Sequence, residues 1–377
     1  MDRINIKRGK KADFRFGTNR SGHVWVKGIA AAILMTGCVA DASISMGRSE
    51  PSTPFTSAIA RVEEPAKPAP AALQTAITTL GRNFNGIAGI SVRRVDSDWE
   101  ASYNGARLMP QQSVSKLWVA MTMLDAVDRG KLTLKDPVTI GRNDLTLFHQ
   151  PLASLLQNGS YSTQLDDLFT RAMQQSDNTA NDTVLRKVGG PQAVRGFLAR
   201  NYIRDIRFGP GERLLQSATA GLVWDQKMSV GRNFYAARSN LPKSVREKAL
   251  NEYLADPMDG AAPSSITMAL AKLKRGEMLS PASTAYLLDT MHGAKTGPQR
   301  VKGGVPAGWV YGHKTGTGQV LYPRSTGYND VGIMTAPDGT SYAVAVMIAS
   351  TTVGIPQRWE LMQGVSRAVA AFHDSER

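Results

Sequence analysis

The sequence predicts an α+β fold in which one antiparallel sheet, built from N- and C-terminal strands, is flanked by helices. Three observations predict it. Segments of strand character cluster at the two ends of the globular part: Gly89–Val95 and Trp99–Tyr103 near its start, then Trp309–Thr315, Tyr328–Ala336 and Tyr342–Ser350 near its end. Helical periodicity fills the long stretch between them, and Gln357–Phe372 closes the chain as an amphipathic helix able to cover a sheet face.

At 377 residues and 42% apolar composition, the chain can bury one or two ordinary cores. Its formal charge of +14 invites a nucleic-acid reading until the charge is located. Residues 1–27 hold eight Lys/Arg against only Asp2 and Asp13, and no later block interleaves basic with aromatic residues, so a nucleic-acid partner is not expected. An apolar run from Gly28 to Met35 follows the basic stretch and leads to Cys38, the single cysteine. A positive segment, a short apolar segment and small residues before a cleavage point describe an export signal, and the run is too short for a permanent membrane span. Cys38 stands where a bacterial lipoprotein carries its lipid, with an ordinary signal peptide as the alternative. Residues 1–38 are therefore expected to be an export signal with a lipobox. Residues 39–70, rich in Ser, Pro and Ala, read as a tether, and 71–377 as the catalytic domain. The expected product is a periplasmic protein held to a membrane through a lipid on Cys38.

Within the domain, Leu73–Leu80 has helical spacing, and Asp96-Ser97-Asp98 reads as the turn joining the first two strands. Val114–Arg129, Thr163–Gln175 and Gln192–Asn201 read as helices, and Pro337-Asp338-Gly339 as the turn between the last two strands. No internal repeat is visible.

Three short patterns carry chemistry. Ser113-Val114-Ser115-Lys116 precedes an apolar helical run, and residues three apart share a helix face, so Lys116 can reach the Ser113 hydroxyl. An alcohol becomes a nucleophile when a neighbour takes its proton, and a desolvated lysine can do so. Ser176-Asp177-Asn178 ends a helical segment, where a polar turn or the cap of the next helix is the plain alternative. Lys314-Thr315-Gly316-Thr317 ends a strand, where a glycine-rich bulge is the plain alternative. Singly each pattern is weak; together, in this order and spacing, they are specific. The five histidines show no ligand-like spacing, so neither metal nor cofactor is expected.

This set resembles that of the class A β-lactamases and the related penicillin-binding proteins. The likeness extends to Thr179-Ala180, Val188-Gly189-Gly190-Pro191 and Asn329-Asp330, covering about residues 73–375. The resemblance implies a serine hydrolase with a β-lactamase-like sheet and an all-helical subdomain. It implies that Ser113 is acylated, that Lys116 relays its proton and that Ser176 passes a proton to the leaving nitrogen. It implies that Asn178 holds the substrate's amide side chain, and that Lys314, Thr315 and Arg300 bind its carboxylate. The backbone N–H groups of Ser113 and Thr317 would form the oxyanion hole, and His149 would flank the cleft. For Arg300 and Glu212 the plain alternative is an exposed surface side chain.

Glu212 lies 36 residues after Ser176 (212 − 176), which matches the interval of the family's deacylating glutamate, and Gly209-Pro210-Gly211 before it implies a loop. The chain departs from the family pattern at Gln216, Pro210 and Asp182, and by an insertion around 217–256 with helical composition. Substrates are thus expected to be β-lactams, with two alternatives. One is a peptidoglycan D,D-peptidase acting on wall peptides. The other is a non-hydrolytic penicillin-sensing lipoprotein.

Overall fold

The computed structural model describes residues 67–97, 99–156 and 158–376. In chain order the elements begin β1 (Lys67–Pro68), α1 (Ala71–Asn83), β2 (Gly86–Arg94), β3 (Trp99–Tyr103), β4 (Met109–Pro110) and α2 (Lys116–Asp128). The middle holds β5 (Pro137–Gly141), β6 (Ser160–Gln164), α3 (Leu165–Thr170), α4 (Asn178–Lys187), α5 (Gly190–Arg200), α6 (Glu212–Thr219), α7 (Asn233–Asn240) and α8 (Lys243–Ala255). The chain then runs through β7 (Gly260–Ala261), α9 (Pro263–Lys274), α10 (Pro281–His292), β8 (Val310–Thr317), β9 (Val320–Leu321), β10 (Arg324–Thr335), β11 (Ser341–Thr351) and α11 (Ile355–Ser375).

The main sheet has the order β1-β3-β2-β11-β10-β8, with β9 paired to β10. Only β1 on β3 is parallel; the pairs from β3 through β8 are antiparallel, so N- and C-terminal strands share one sheet as the sequence predicts. Alternation along β11 divides the core. Val344, Val346 and Ile348 join Leu73 and Ile77 of α1 and Leu361, Val365 and Val369 of α11 in one apolar cluster. Ala343, Ala345 and Met347 face the other way and join Ile266 and Leu270 of α9 and Trp118 and Met121 of α2. Helix α2 is buried on nearly every side from Lys116 to Leu124, which fixes its first turn rigidly against the sheet.

Two expectations are corrected. The folded domain expected to begin at 71 already includes Lys67 and Pro68, which pair with Trp99 and Glu100 at the sheet edge. Proline is tolerated there because an edge strand leaves one row of N–H groups unpaired. The helix expected over Thr163–Gln175 begins at Leu165, because Ser160–Gln164 pairs with Pro137–Gly141 as a separate hairpin. Its last turn, Arg171–Gln175, widens into a π-helical turn and ends on Ser176.

The segment expected to be inserted, 217–256, folds against the body through two small apolar clusters. Phe234 of α7 packs with Leu147 and Ala220, its ring 4.7 Å edge-on from Phe148. Leu250 and Tyr253 of α8 pack on Leu215 of α6.

Candidate active site

The three sequence patterns meet in a cleft of about 540 Å³ whose lining includes Ser113, Ser176, Asn178, Thr315 and Thr317. Ser113 sits in the tight turn Gln112–Ser115 that leads into α2, so the turn and helix aim backbone N–H groups near its hydroxyl. Strand β8 lies directly on that turn, and a Cβ at Gly316 would collide with the Gln111 carbonyl oxygen. Asn329 of β10 clamps the same segment, its Nδ2 donating to the carbonyls of Pro110 at 2.7 Å and Gln111 at 3.0 Å. Asp330 beside it accepts from His313 Nδ1 at 2.7 Å and from the Val301 N–H at 3.0 Å. These contacts hold β8 in register with the nucleophile turn.

Lys116 is the hub. Its ammonium lies 2.9 Å from Ser113 Oγ, 2.8 Å from the Ser176 carbonyl oxygen, 2.5 Å from Asn178 Oδ1 and 3.2 Å from Glu212 Oε1. Ser176 Oγ stands between two lysines, accepting from Lys314 Nζ at 2.9 Å with Lys116 Nζ 3.4 Å away. Its backbone is left-handed, at φ 60 and ψ 30, as is Gln112 before the nucleophile at φ 53. Non-glycine residues held there store strain of about 1–3 kcal/mol, which persists where the surroundings over-determine the geometry. Asp177 caps α4 through Ala180 N–H at 2.9 Å and accepts from Leu152 N–H at 2.6 Å, so the helix-cap reading and the site reading hold together.

Lys314 is fully buried; desolvation, with the Lys116 charge next, pushes its amine well below the usual lysine value. An arriving carboxylate would favour its charged form. Thr315 Oγ1 lies 2.7 Å from Thr296 Oγ1. Arg300 is 7% exposed, not a surface side chain. It donates to the carbonyls of Gly316 at 2.8 Å and Asn329 at 2.6 Å and to Thr317 Oγ1 at 2.5 Å, with its guanidinium 3.8 Å over the Tyr328 ring. His149 lines the cleft, its Nε2 2.8 Å from the Gln175 carbonyl oxygen.

Glu212 is also buried, at 3% exposure, and it opens α6 rather than standing within a loop. Gly211 before it has φ 99, a conformation open to glycine, and this turn swings the carboxylate inward to Lys116. Gln216 Nε2 reaches Glu212 Oε2 at 3.3 Å and Gln112 Oε1 at 2.9 Å, and Gln216 lines the cleft. Beneath them Asp182 Oδ1 accepts the Glu212 N–H at 3.1 Å. Burial, with the Glu212 charge second, pushes the Asp182 carboxyl up to about 6. The folded protein then holds a proton that the unfolded chain has released, so Asp182 costs stability as pH rises from about 4 to about 6. Asp182→Asn keeps an acceptor for the Glu212 N–H and removes the charge. It is expected to stabilise the fold at pH 7 by on the order of 2–3 kcal/mol and to flatten the loss of Tm across that window. Thermal unfolding of both proteins between pH 4 and 7 checks this.

Sequence reasoning missed part of the site. Tyr253 of α8 donates to Asp259 Oδ1 at 2.8 Å and accepts from Gln112 Nε2 at 2.6 Å, while Asp259 Oδ2 accepts the Gln112 N–H at 2.7 Å. Helix α8 therefore braces the residue next to the nucleophile. Phe148, Tyr235, Arg238 and Gln319 also line the cleft, and no local pattern marks any of them. Cys38 lies outside the described residues.

Comparison with known proteins gives a consistent picture. The sequence pattern of the "Beta-lactamase enzyme family" matches residues 72–372. The chain is 30% identical over 261 residues to the extended-spectrum β-lactamase PER-1 of Pseudomonas aeruginosa, covering 69% of this chain and 74% of that protein. It is 25% identical to the carbapenem-hydrolyzing β-lactamase KPC of Klebsiella oxytoca, covering 63% of this chain and 69% of that one. Among solved structures, an ancestral class A β-lactamase superposes with a TM-score of 0.62 at 25% identity, covering 80% of this chain and 99% of the other. A β-lactamase from Chitinophaga pinensis shares the fold with a TM-score of 0.65 at 23% identity, over 81% and 99% of the two chains.

Proposed function

The chain belongs to the β-lactamase enzyme family, within its class A branch, and on that footing we propose that it hydrolyses β-lactams through an acyl-enzyme on Ser113. One observation carries the residue assignment: Lys116 Nζ bridges Ser113 Oγ at 2.9 Å and Glu212 Oε1 at 3.2 Å. In its amine form Lys116 takes the Ser113 proton as Oγ bonds to the lactam carbonyl carbon, while Glu212 keeps its carboxylate for the second half. The oxyanion is held by the N–H groups of Ser113 and Thr317, where fixed dipoles act without reorganising. Collapse breaks the C–N bond, and Ser176 gives its proton to the departing nitrogen and receives in its place the proton Lys116 took from Ser113, the two amines being 3.4 Å away (Lys116) and 2.9 Å away (Lys314) from its oxygen. Lys314, Thr315 and Arg300 anchor the substrate carboxylate, and Asn178 and His149 line the side on which the acyl group rests. In the second half Glu212 takes a proton from water, the hydroxide attacks the ester carbonyl, and Ser113 leaves with a proton returned through Lys116.

The peptidase and non-hydrolytic alternatives are not favoured, because the relatives carry β-lactamase names and Glu212 is buried against Lys116. Full-length protein mixed with a chromogenic cephalosporin is expected to turn it over steadily. A stoichiometric burst followed by a lasting adduct would point instead to a sensor.

Export and lipid attachment at Cys38 are part of the same proposal, supported by the basic and apolar residues before it. In a Gram-negative host the protein is expected in the membrane fraction, and Cys38→Ser is expected to release it to the soluble one. Wild-type protein found wholly soluble would remove the tether.

A further inference from the structure

Helix α7 belongs to the segment inserted after Glu212, yet it supplies two residues to the cleft wall, Tyr235 and Arg238. They are three apart, so they share one helix face. Phe234, buried against Phe148, fixes the rotation of that face, and Tyr235 lies edge-on to Phe148 at 5.9 Å. The Tyr235 ring remains 46% exposed, and Val320 opposite is 52% exposed, so the rim is apolar and open.

Arg238 reaches across the cleft, donating from Nη2 to the Val320 carbonyl oxygen at 3.1 Å. Its Nε is buried with no hydrogen-bond partner among the described residues, and no carboxylate among them pairs with it. Burial and the nearby Arg246 charge both disfavour its cationic form, a cost that an anion at this spot would offset. The cations that face the ring-carboxylate position, Lys314 and Arg300, lie at the Lys314–Thr317 end of the strand. Arg238 lies at the Val320 end, past the irregular residues Gly318 and Gln319 that follow Thr317. The cleft thus has two separate positive poles, with an aromatic ring beside the second.

We propose that Tyr235 and Arg238 form a side-chain subsite, built by the insertion, that selects β-lactams whose acyl group carries an aromatic ring next to an anionic group. The Tyr235 ring packs against the substrate ring and the Arg238 guanidinium pairs with the second anion. This rests on the β-lactamase reading for the chemistry, but the recognition it describes precedes any bond making.

The matched pair benzylpenicillin and carbenicillin tests it, since they differ only by a carboxylate on the phenylacetyl group. In Arg238→Gln, kcat/KM for carbenicillin relative to benzylpenicillin is expected to fall about tenfold, the size of one charge-assisted hydrogen bond. Arg238→Lys is expected to restore part of the ratio, and Tyr235→Leu to weaken binding of both penicillins. The same pair titrated calorimetrically into Ser113→Ala, with and without Arg238→Gln, reads the subsite without turnover. A tenfold shift in the Kd ratio supports the proposal; an unchanged ratio, or equal losses for both penicillins, overturns it. Absence of turnover in the wild type alongside a shifted Kd ratio would count against the hydrolase reading alone.

Discussion

Ser113→Ala is expected to lower kcat/KM for any β-lactam substrate by at least ~10⁴-fold while leaving the fold in place. Covalent catalysis divides amide cleavage into two easier steps, and without the hydroxyl no other group on the cleft can be acylated in the same geometry. The side chain gives up one hydrogen bond, from Lys116 at 2.9 Å, and that lysine keeps Ser176, Asn178 and Glu212 as partners. The stability change should therefore stay near ~1 kcal/mol. Initial rates with a chromogenic cephalosporin, beside a thermal unfolding curve, separate loss of chemistry from loss of structure. A variant that retains a tenth of the activity would remove Ser113 from the mechanism.

The second large effect is expected at Glu212. Glu212→Gln preserves the side-chain shape and the contact with Gln216 at 3.3 Å but removes the base that would activate water. General-base assistance is worth about 10²–10⁴-fold, so kcat is expected to fall by roughly 10³ as the acyl-enzyme builds up. The substitution also leaves the buried Lys116 ammonium without its carboxylate, and breaking such a pair destabilises by up to ~3–5 kcal/mol. The remaining acceptors around Lys116 should soften that loss. Rapid-mixing experiments should show one equivalent of product released in a burst, then a slow phase. An unchanged steady rate would make Glu212 a structural partner of Lys116 and nothing more.

The sheet was legible because β2, β10 and β11 are long and alternate or run apolar, and because both chain ends contribute to one layer. Ser113 and Lys116 were legible as a pair because they stand three positions apart on one helix turn, and Lys314 because its strand ends in its own glycines. Glu212 was legible only through its interval from Ser176. Its burial and its place at the start of α6 were not, since both depend on the Gly211 turn and on Lys116 far upstream. The helix expected from Thr163 overlaps the last two residues of the polar strand Ser160–Gln164, because nothing in them distinguishes a solvated strand from a helix start. Least legible was the role of residues 217–256, the segment expected to be an insertion. Tyr253 meets Gln112 across 141 residues of sequence, and Arg238 meets Val320 across 82. Such contacts depend on how α7 and α8 dock through Phe234 and Leu250, and no periodicity in the segment records it.

The most direct test is to locate the covalent bond. Glu212→Gln protein quenched soon after mixing with benzylpenicillin, then digested and sequenced by mass spectrometry, should carry one penicilloyl group on the Ser113 hydroxyl, and Ser113→Ala should carry none. Label found on Ser176 or another side chain, or an enzyme that turns over penicillin with no ester ever trapped, would contradict the account.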